Sequence, residues 1–171
     1  MINGQAYPCK VVRIGLLGET ALAQFLDKPV DFEYREGGTP FDFHLCNLTL
    51  DLKTAARNYG SGLIRAFSDR MVKIELKADI YVFAYLESEN KNEKNATVVL
   101  TGWKERGNIL KLRLSPARVG NHFNYDIPYS TLNSIETLKN LGNLLMAVLP
   151  FGRMITSGDE QLCKPFLKSK K

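Results

Sequence analysis

Residues 41–53, FDFHLCNLTLDLK, decide the fold that the sequence predicts. Apolar and polar residues alternate in two runs, which indicates two strands that each bury one face. The apolar face carries Phe41, Phe43, Leu45, Leu48, Leu50 and Leu52, and the other face carries Asp42, His44, Thr49, Asp51 and Lys53. A tight turn at Cys46 and Asn47 joins the two runs. The stretch is therefore expected to form a β-hairpin with two acids and a lysine on one face.

In this hairpin Asp42 lies directly opposite Asp51, and Lys53 follows one pleat further along. Opposed positions hold Cβ atoms roughly 5 Å apart, and like charges at that distance destabilise a sheet. A divalent cation bound by both carboxylates removes the repulsion, so the pattern favours a metal site. The alternative is a salt-bridge network in which Lys53 neutralises both aspartates and no metal binds. The prediction depends on register, because a shift of one residue sends the two aspartates to opposite faces.

The elements around the hairpin are predicted from spacing and from turn residues. Residues 10–27 are expected to form a helix with an apolar stripe of Val11, Ile14, Leu17, Ala21, Leu22, Phe25 and Leu26. Gly15 and Gly18 weaken this helix but allow its backbone to approach a sheet closely. Glu19 lies at the flank of the stripe. Its carboxylate either reaches over a sheet edge or lies on the solvated helix surface.

The order of the later elements predicts the topology. Strands are expected at residues 30–35, 79–87 and 96–103, with an exposed turn over 88–95, and the run at 79–87 is apolar enough to be buried on both faces. Residues 53–79 supply the irregular, then partly helical crossover that parallel strands require. A helix over 131–148, capped by Ser130 or Thr131, follows. We therefore predict an α/β fold: a mixed sheet of about four to five strands flanked by helices, with a C-terminal helix.

Composition sets broad limits on the class of protein. The 171 residues carry a net charge of +5, which suits a polyanionic partner or a merely solubilising surface equally well. Three distant cysteines make a disulfide framework and a structural zinc site improbable, as in a reducing cytosol. The apolar run at 141–151 is too short to span a membrane. We expect a cytoplasmic protein with one domain over residues 1–163 and a basic, flexible tail over 164–171.

Four segments together resemble the PD-(D/E)XK nuclease superfamily, which has the restriction-endonuclease-like fold. They are the helix GLLGETA with Glu19, the strand PFDF with Asp42, the strand TLDLKTA with Asp51 and Lys53, and the apolar strand ADIYVFAYL after a crossover. The resemblance implies that Asp42 and Asp51 bind Mg²⁺, that Lys53 positions or activates the attacking water, and that Glu19 completes the metal shell. The backbone carbonyl of Leu52 is a further implied ligand.

The activity implied by the resemblance is that of a Mg²⁺-dependent DNA endonuclease, which hydrolyses phosphodiester bonds with a metal-activated water and accepts Mn²⁺ in place of Mg²⁺. The glutamine and tyrosine motif of RecB-like exonucleases is not apparent, which favours a resolvase-like, restriction-type or homing-type enzyme. Its substrate would be double-stranded or branched DNA. Cutting both strands would require a homodimer or a higher homo-oligomer. The alternative is a catalytically inactive nucleic-acid-binding module of the same fold.

Basic and aromatic side chains supply candidates for contacts with DNA. The basic candidates are Arg57, Lys104, Arg106, Lys111 and Arg113, which either follow the phosphate backbone or are scattered solvent charges. The aromatic candidates are Trp103, Tyr59 and Tyr129, which either stack on bases or pack in the protein. His44, paired across the hairpin with Thr49, is interpreted as structural.

Overall fold

The computed structural model describes residues 10–30, 40–68, 70–90, 95–117 and 120–148. The α-helices in these ranges are α1 (Lys10–Leu26), α2 (Arg106–Ile109) and α3 (Ile135–Val148), and residues Tyr129–Thr131 form a single 3₁₀ turn. The strands are β1 (Phe43–Leu45), β2 (Leu48–Ala55), β3 (Ser61–Arg65), β4 (Ile80–Asn90), β5 (Asn95–Glu105), β6 (Leu114–Pro116) and β7 (Phe123–Pro128). No helix in the described ranges is long and apolar enough to cross a membrane.

The main sheet has four strands in the order β1-β2-β4-β5. The pairs β1–β2 and β4–β5 are antiparallel, and β2–β4 is parallel. This confirms the predicted α/β class, the mixed sheet and the hairpin at residues 41–53. The hairpin turn contains Cys46 in the left-handed region, with φ of 56°.

The crossover between the parallel strands differs from the prediction. Residues 53–79 were expected to be partly helical, but they contain strand β3 and an isolated bridge between Phe67 and Lys73. β3 belongs to a second sheet of order β3-β7-β6. A glycine makes the close approach of the two sheets possible, because a Cβ at Gly62 would lie 2.1 Å from Cδ1 of Phe83. The apolar alternation of this segment therefore serves sheet packing and not a helix.

Strand β4 separates two hydrophobic clusters. Ile80, Val82 and Ala84 belong to the cluster that includes Leu22 of α1 and Leu138 of α3. Tyr81 and Phe83 belong to the cluster formed with the second sheet, which includes Ile64, Tyr125 and Ile127. The strand is thus buried on both faces, as predicted. Helices α1 and α3 cover one face of the main sheet, and the second sheet, with Ile109 of α2, covers the other.

The predicted first helix is confirmed, with one correction in its apolar stripe. Leu22 is fully buried, whereas Val11 is 76% exposed and does not reach the core. A Cβ at Gly18 would overlap Thr54 of β2, so this glycine permits the close approach to the sheet that was expected of it. Gly15 has open space around it and plays no such part.

The helix α3 begins later than predicted, so the capping role expected of Ser130 or Thr131 is wrong. Those two residues lie in the 3₁₀ turn. Asn133 then pairs in extended form with Trp103, accepting from its N–H at 3.1 Å and donating to its C=O at 2.9 Å. Because these backbone bonds hold residue 133 to the sheet, the helix starts only at Ile135.

The hairpin of β4 and β5 is longer than expected. Ser88 and Glu89 were assigned to an exposed turn, but they continue β4 and pair with Thr97 and Ala96 of β5. The pairing is made by backbone groups, which the polar side chains of this segment do not disturb. Three predictions fall outside the described residues: the strand from residue 31 onward, the tail over 164–171 and the state of Cys9 and Cys163.

Candidate functional site

The predicted register of the first hairpin is confirmed. Phe43 pairs with Leu50 and His44 with Thr49, and the N–H of Asp42 donates to the carbonyl of Leu50 at 2.8 Å. This ladder ends at Phe43 and Leu50, so Asp42 precedes it and is held to β2 through its own N–H. β1 begins only at Phe43, while β2 continues to Ala55. The far half of β2 therefore has an edge that β1 does not cover, and Asp42 stands where that edge begins.

The carboxylate of Asp42 takes the place of a missing strand partner at this edge. Its Oδ2 accepts a hydrogen bond from the N–H of Leu52 at 2.7 Å. The N–H and the C=O of one strand residue point to the same edge of the strand. The carbonyl of Leu52, a predicted metal ligand, is thus directed to the edge at which Asp42 lies.

Asp51 and Lys53 form a tight ion pair on one face of β2. Residues two apart on a strand share a face, and the Lys53 Nζ lies 2.8 Å from Oδ1 and 2.7 Å from Oδ2 of Asp51. The Asp51 side chain is 15% exposed and that of Lys53 is 40% exposed. The ammonium therefore neutralises Asp51 from a position that solvent and a ligand reach.

Glu19 acts on Asp42 from α1, which packs on the face of β2 that carries Leu52 and Thr54. Gly18 brings the α1 backbone against β2, since a Cβ there would lie 1.8 Å from Thr54 Oγ1 and 3.1 Å from Leu52 Cδ2. Glu19 is the next residue, and its side chain is half-buried. Its negative charge acts on Asp42, as the pKa of Asp42 shows. The helix thus adds a third carboxylate to the two of the hairpin.

The electrostatics of the group are visible in the pKa of Asp42. Burial raises this pKa from 3.8 to about 7, and the negative charges of Asp51 and Glu19 act in the same direction. The N–H of Leu52 and the ammonium of Lys53 oppose the rise without cancelling it. Two further carboxylates and one ammonium thus act on Asp42, and that ammonium is in contact with Asp51. A further cation would relieve the charge at Asp42.

The described residues contain no group of three or more His, Cys, Asp or Glu side chains at metal-holding spacing. Glu19 therefore influences Asp42 through charge and does not join a closed three-acid shell. Magnesium typically keeps several waters and binds through one or two carboxylates. Asp42, Asp51 and the Leu52 carbonyl, all oxygen donors around an edge with surplus negative charge, fit such an ion.

A cleft of about 640 Å³ begins beside Lys53. One wall is the far half of β2, from Leu52 to Ala55, and the facing residues come from the second sheet. Sequence reasoning missed this wall, which includes Ser61, Ser115, Asn124 and Asp126. The alternation in FNYDIP, which places Asn124 and Asp126 on the face opposite Tyr125 and Ile127, was the signal that could have identified two of them.

The structure separates the predicted basic residues into three groups. Arg57 lines the cleft, and its guanidinium lies 4.9 Å from the ring centroid of Tyr59. Lys104 donates to the carbonyl and hydroxyl of Thr131, and Arg106 lies 3.5 Å from Asp79. Lys111 and Arg113 are exposed. Of this set, the cleft with Lys53 takes in Arg57.

The aromatic candidates also separate. Trp103 is 6% exposed, and its ring N–H donates to the Ser134 carbonyl and the Thr137 hydroxyl, so the base-stacking role considered for it is wrong. Tyr129 stacks on Tyr85 at 6.2 Å between ring centroids. Tyr59 is 54% exposed and lines the cleft. It is the aromatic candidate that remains available to a ligand.

One side chain of the hairpin lies elsewhere than predicted. Phe41 was expected on the face of Phe43, but its ring lies edge-on to His44 at 4.5 Å and packs with the cluster of the second sheet. Residue 41 precedes β1, so strand alternation does not govern its direction. The contact agrees with the structural interpretation of His44.

No family model, curated protein or solved structure matches the chain.

Proposed function

We propose that the protein is a magnesium-dependent DNA endonuclease of the PD-(D/E)XK type. The observation that carries the proposal is the edge of β2, where Asp42 accepts from the Leu52 N–H within electrostatic range of Asp51, Glu19 and Lys53. Lys53 in turn contacts Asp51. The raised pKa of Asp42 supports it, because a carboxylate buried near two others is expected where a cation binds. The cleft that begins at Lys53 provides room for a substrate next to these groups.

Asp42, Asp51 and the carbonyl of Leu52 would hold the metal, and Glu19 would add charge or a water-mediated contact. Bound magnesium lowers the pKa of a coordinated water and neutralises charge on the scissile phosphate. Asp42 is oriented for its role by the Leu52 N–H, which fixes one carboxylate oxygen and leaves the other for a ligand.

Lys53 would act on the attacking water and on the phosphate oxygens. Its side chain is 40% exposed at the mouth of the cleft, so it reaches a substrate without losing contact with Asp51. A fixed ammonium in a partly dry site stabilises the negative charge that develops during hydrolysis. Arg57, on the same cleft, would contact a neighbouring phosphate.

A structural ion pair is the second candidate, and the contact of Lys53 with both oxygens of Asp51 favours it. In that case the group stabilises the hairpin and binds no divalent cation. The state of Asp42 speaks against it, since Lys53 leaves the pKa of that carboxyl at about 7. A nucleic-acid-binding module without activity is the third possibility, and it predicts salt-dependent DNA binding without cleavage.

The proposal also includes a location in the cell and an oligomeric state. The enzyme would act in the cytoplasm, in agreement with its few cysteines. Cleavage of both strands would require a homodimer or a larger symmetric assembly, since one such site cuts one strand.

Cleavage of DNA tests the proposal directly. Purified protein is incubated with supercoiled, linear and branched DNA in Mg²⁺ or Mn²⁺, and products are resolved on gels. We expect cleavage, and a rate lower by about 100-fold or more in Lys53→Ala, which removes an electrostatic contribution of the kind that fixed charges make in active sites. The matched control is Lys77→Ala, because Glu75 and Lys77 repeat the acid-x-lysine spacing on exposed positions. No cleavage, or equal rates in the two variants, would contradict the proposal.

Calorimetry separates the three candidates. The endonuclease should bind Mg²⁺ with a heat that is lost in both Asp42→Asn and Asp51→Asn. A structural ion pair gives no Mg²⁺ heat in the unmodified protein. An inactive binding module retains DNA binding with the usual salt dependence and shows no Mg²⁺ heat that Asp42→Asn or Asp51→Asn abolishes.

A further inference from the structure

The cleft beside Lys53 has a shape that the candidate metal site does not require. It extends from Lys53 along the far half of β2 and takes in Arg57 and Tyr59 beyond the end of the strand. Its opposite wall is the second sheet, which resemblance to a nuclease motif did not predict. The cleft shares Leu52 and Lys53 with the candidate catalytic group and extends beyond both of them.

The size of the cleft limits what it can hold. Its volume of about 640 Å³ lies within the range of small-molecule sites, about 300–1,000 Å³. A compartment of this size accepts a nucleotide but not a whole duplex. A DNA strand that contacts Lys53 must therefore place an unpaired nucleotide in the cleft or leave the cleft empty.

The lining suits a nucleotide base and its phosphate. Tyr59 is 54% exposed, and the Arg57 guanidinium lies 4.9 Å from its ring, which together provide a flat, cationic stacking platform. Aromatic rings of this kind bind single-stranded nucleic acid through stacking that tolerates any base. Lys53 and Arg57 supply the positive charge for the backbone, and among the described residues of the lining Asp126 carries the one carboxylate.

The far wall carries groups for the polar edge of a base. Asn124 is 8% exposed and lines the cleft. Its amide provides both donors and an acceptor. The hydroxyls of Ser61 and Ser115 lie on the same lining. These amide and hydroxyl groups can donate to and accept from the polar edge of a base.

We propose that this cleft binds one unpaired nucleotide of DNA next to the phosphate that is cleaved. The proposal rests on the endonuclease function proposed above and names its substrate class: DNA with a bulged, flapped or single-stranded nucleotide. A paired nucleotide must first be unstacked and unpaired, which costs a few kcal/mol, and an unpaired one avoids that cost. Fully paired DNA is therefore the poorer substrate.

Binding in the absence of metal tests the cleft separately from the chemistry. The probes are a DNA duplex with one unpaired 2-aminopurine in its centre and the same duplex fully paired, in buffer with EDTA. Fluorescence anisotropy gives the affinities, and 2-aminopurine emission reports stacking. We expect the bulged duplex to bind about tenfold more tightly, with quenched emission, because stacking on one aromatic ring supplies a preference of that order.

Variants at exposed positions assign the preference to the cleft. Tyr59→Ala should remove most of the tenfold preference, whereas Tyr59→Phe should keep it, because the stacking ring remains. Val72→Ala is the matched control, since Val72 is 62% exposed and lies outside the cleft lining. Equal affinity for the two duplexes, or a preference that Tyr59→Ala leaves intact, would overturn the proposal.

The outcomes also separate this proposal from the endonuclease function. A protein that prefers the bulged duplex but cleaves no DNA in Mg²⁺ refutes the endonuclease function and retains the nucleotide cleft. A protein that cleaves both duplexes at one rate, and binds them equally, retains the endonuclease function and refutes the cleft.

Discussion

Asp42 and Asp79 both lie beside strand β2, and their carboxyl groups have opposite electrostatics. Asp79 is partly exposed and receives two hydrogen bonds at Oδ2, from the N–H of Thr49 at 3.0 Å and from its hydroxyl at 2.7 Å. These hydrogen bonds, together with the positive charge of Arg106, lower the pKa of Asp79. Asp42 is more buried and accepts a hydrogen bond from the N–H of Leu52. Burial and the charges of two nearby acids raise its pKa to about 7.

The difference separates a structural carboxylate from a candidate functional one. Asp79 has donors for its charge and water around it, so ionisation strengthens the link between the starts of β2 and β4. Asp42 is enclosed among like charges, so ionisation weakens the metal-free fold. The same residue type, at opposite edges of the same strand, therefore favours opposite protonation states because of burial and neighbours. Hydrogen-bond donors outweigh desolvation at Asp79, whereas burial and neighbouring acids outweigh the donors at Asp42.

The largest expected effect that tests this comparison is that of Asp42→Asn. The folded pKa of Asp42 is about 7 against 3.8 for the free group, so its contribution to stability is present below pH about 4 and is lost as pH rises toward 7. At pH 8, without metal, the variant should be more stable than the unmodified protein by up to about 4 kcal/mol. Urea unfolding at pH 4, 6 and 8 measures this.

Metal ions should reverse the order of stability of Asp42→Asn and the unmodified protein at pH 8. With Mg²⁺ present the unmodified protein should gain stability at pH 8, because the ion binds the folded state, while Asp42→Asn should gain nothing. A variant that is less stable than the parent at pH 8 in EDTA would show that Asp42 is not a strained carboxylate.

The second effect concerns the approach of α1 to the edge of β2. In Gly18→Ala the new methyl meets Thr54, with 1.8 Å between the Cβ and Oγ1, so α1 must shift and take Glu19 with it. We expect a loss of about 1–3 kcal/mol in the free energy of unfolding. We also expect a lower pKa for Asp42, since Glu19 moves away, which ¹³C-detected titration of the aspartate carboxyl measures.

Gly15→Ala is the matched control for this variant. Gly15 lies in the same helix with nothing within 4 Å of an added Cβ. Alanine should therefore stabilise the helix there, by up to about 1 kcal/mol. Equal effects at positions 15 and 18 would show that helix propensity, and not contact with β2, governs both.

The smallest effect is expected for Asp79→Asn. Its pKa is lowered in the folded protein, so the stability it contributes is present above its unfolded pKa and is lost as pH falls through the folded value. The loss on substitution should be about 1 kcal/mol at pH 7, because solvent screens this partly exposed group. The free energies of unfolding of variant and parent, measured at pH 7 and at pH 3, should differ less at pH 3. DNA cleavage and Mg²⁺ heats should not change, in contrast to Asp42→Asn.

Alternation alone predicted the hairpin and the register of Phe43–Leu45 against Leu48–Leu50. It succeeded because a strand has a period of two and one face here is buried, so a single register satisfies Phe43, Leu45 and Leu50 together. It failed at Phe41, which precedes the strand, and at Ser88 and Glu89, where backbone pairing continues regardless of side-chain polarity. Local patterns report burial, and these residues are placed by neighbours that a local pattern does not contain.

The crossover shows the same limit. Residues 61–65 carry too short an apolar pattern to distinguish strand from helix, and β3 forms because β7, some 60 residues later, pairs with it. The cleft depends on that pairing. Neither Asn124 nor Ser61 has a chemical signature in the sequence, and both become candidate ligand contacts only where the two sheets face each other.

The sequence by itself determined the α/β class, the parallel pair within a mixed sheet, and the face shared by Asp51 and Lys53, since these follow from local periodicity and chain order. Tertiary structure alone decided that Gly18 lets α1 bring Glu19 within electrostatic range of Asp42. It also decided that burial raises the pKa of Asp42, and that a second sheet forms a cleft beside Lys53. Desolvation and charge repulsion depend on distances between residues far apart in the chain, and no local pattern encodes those distances.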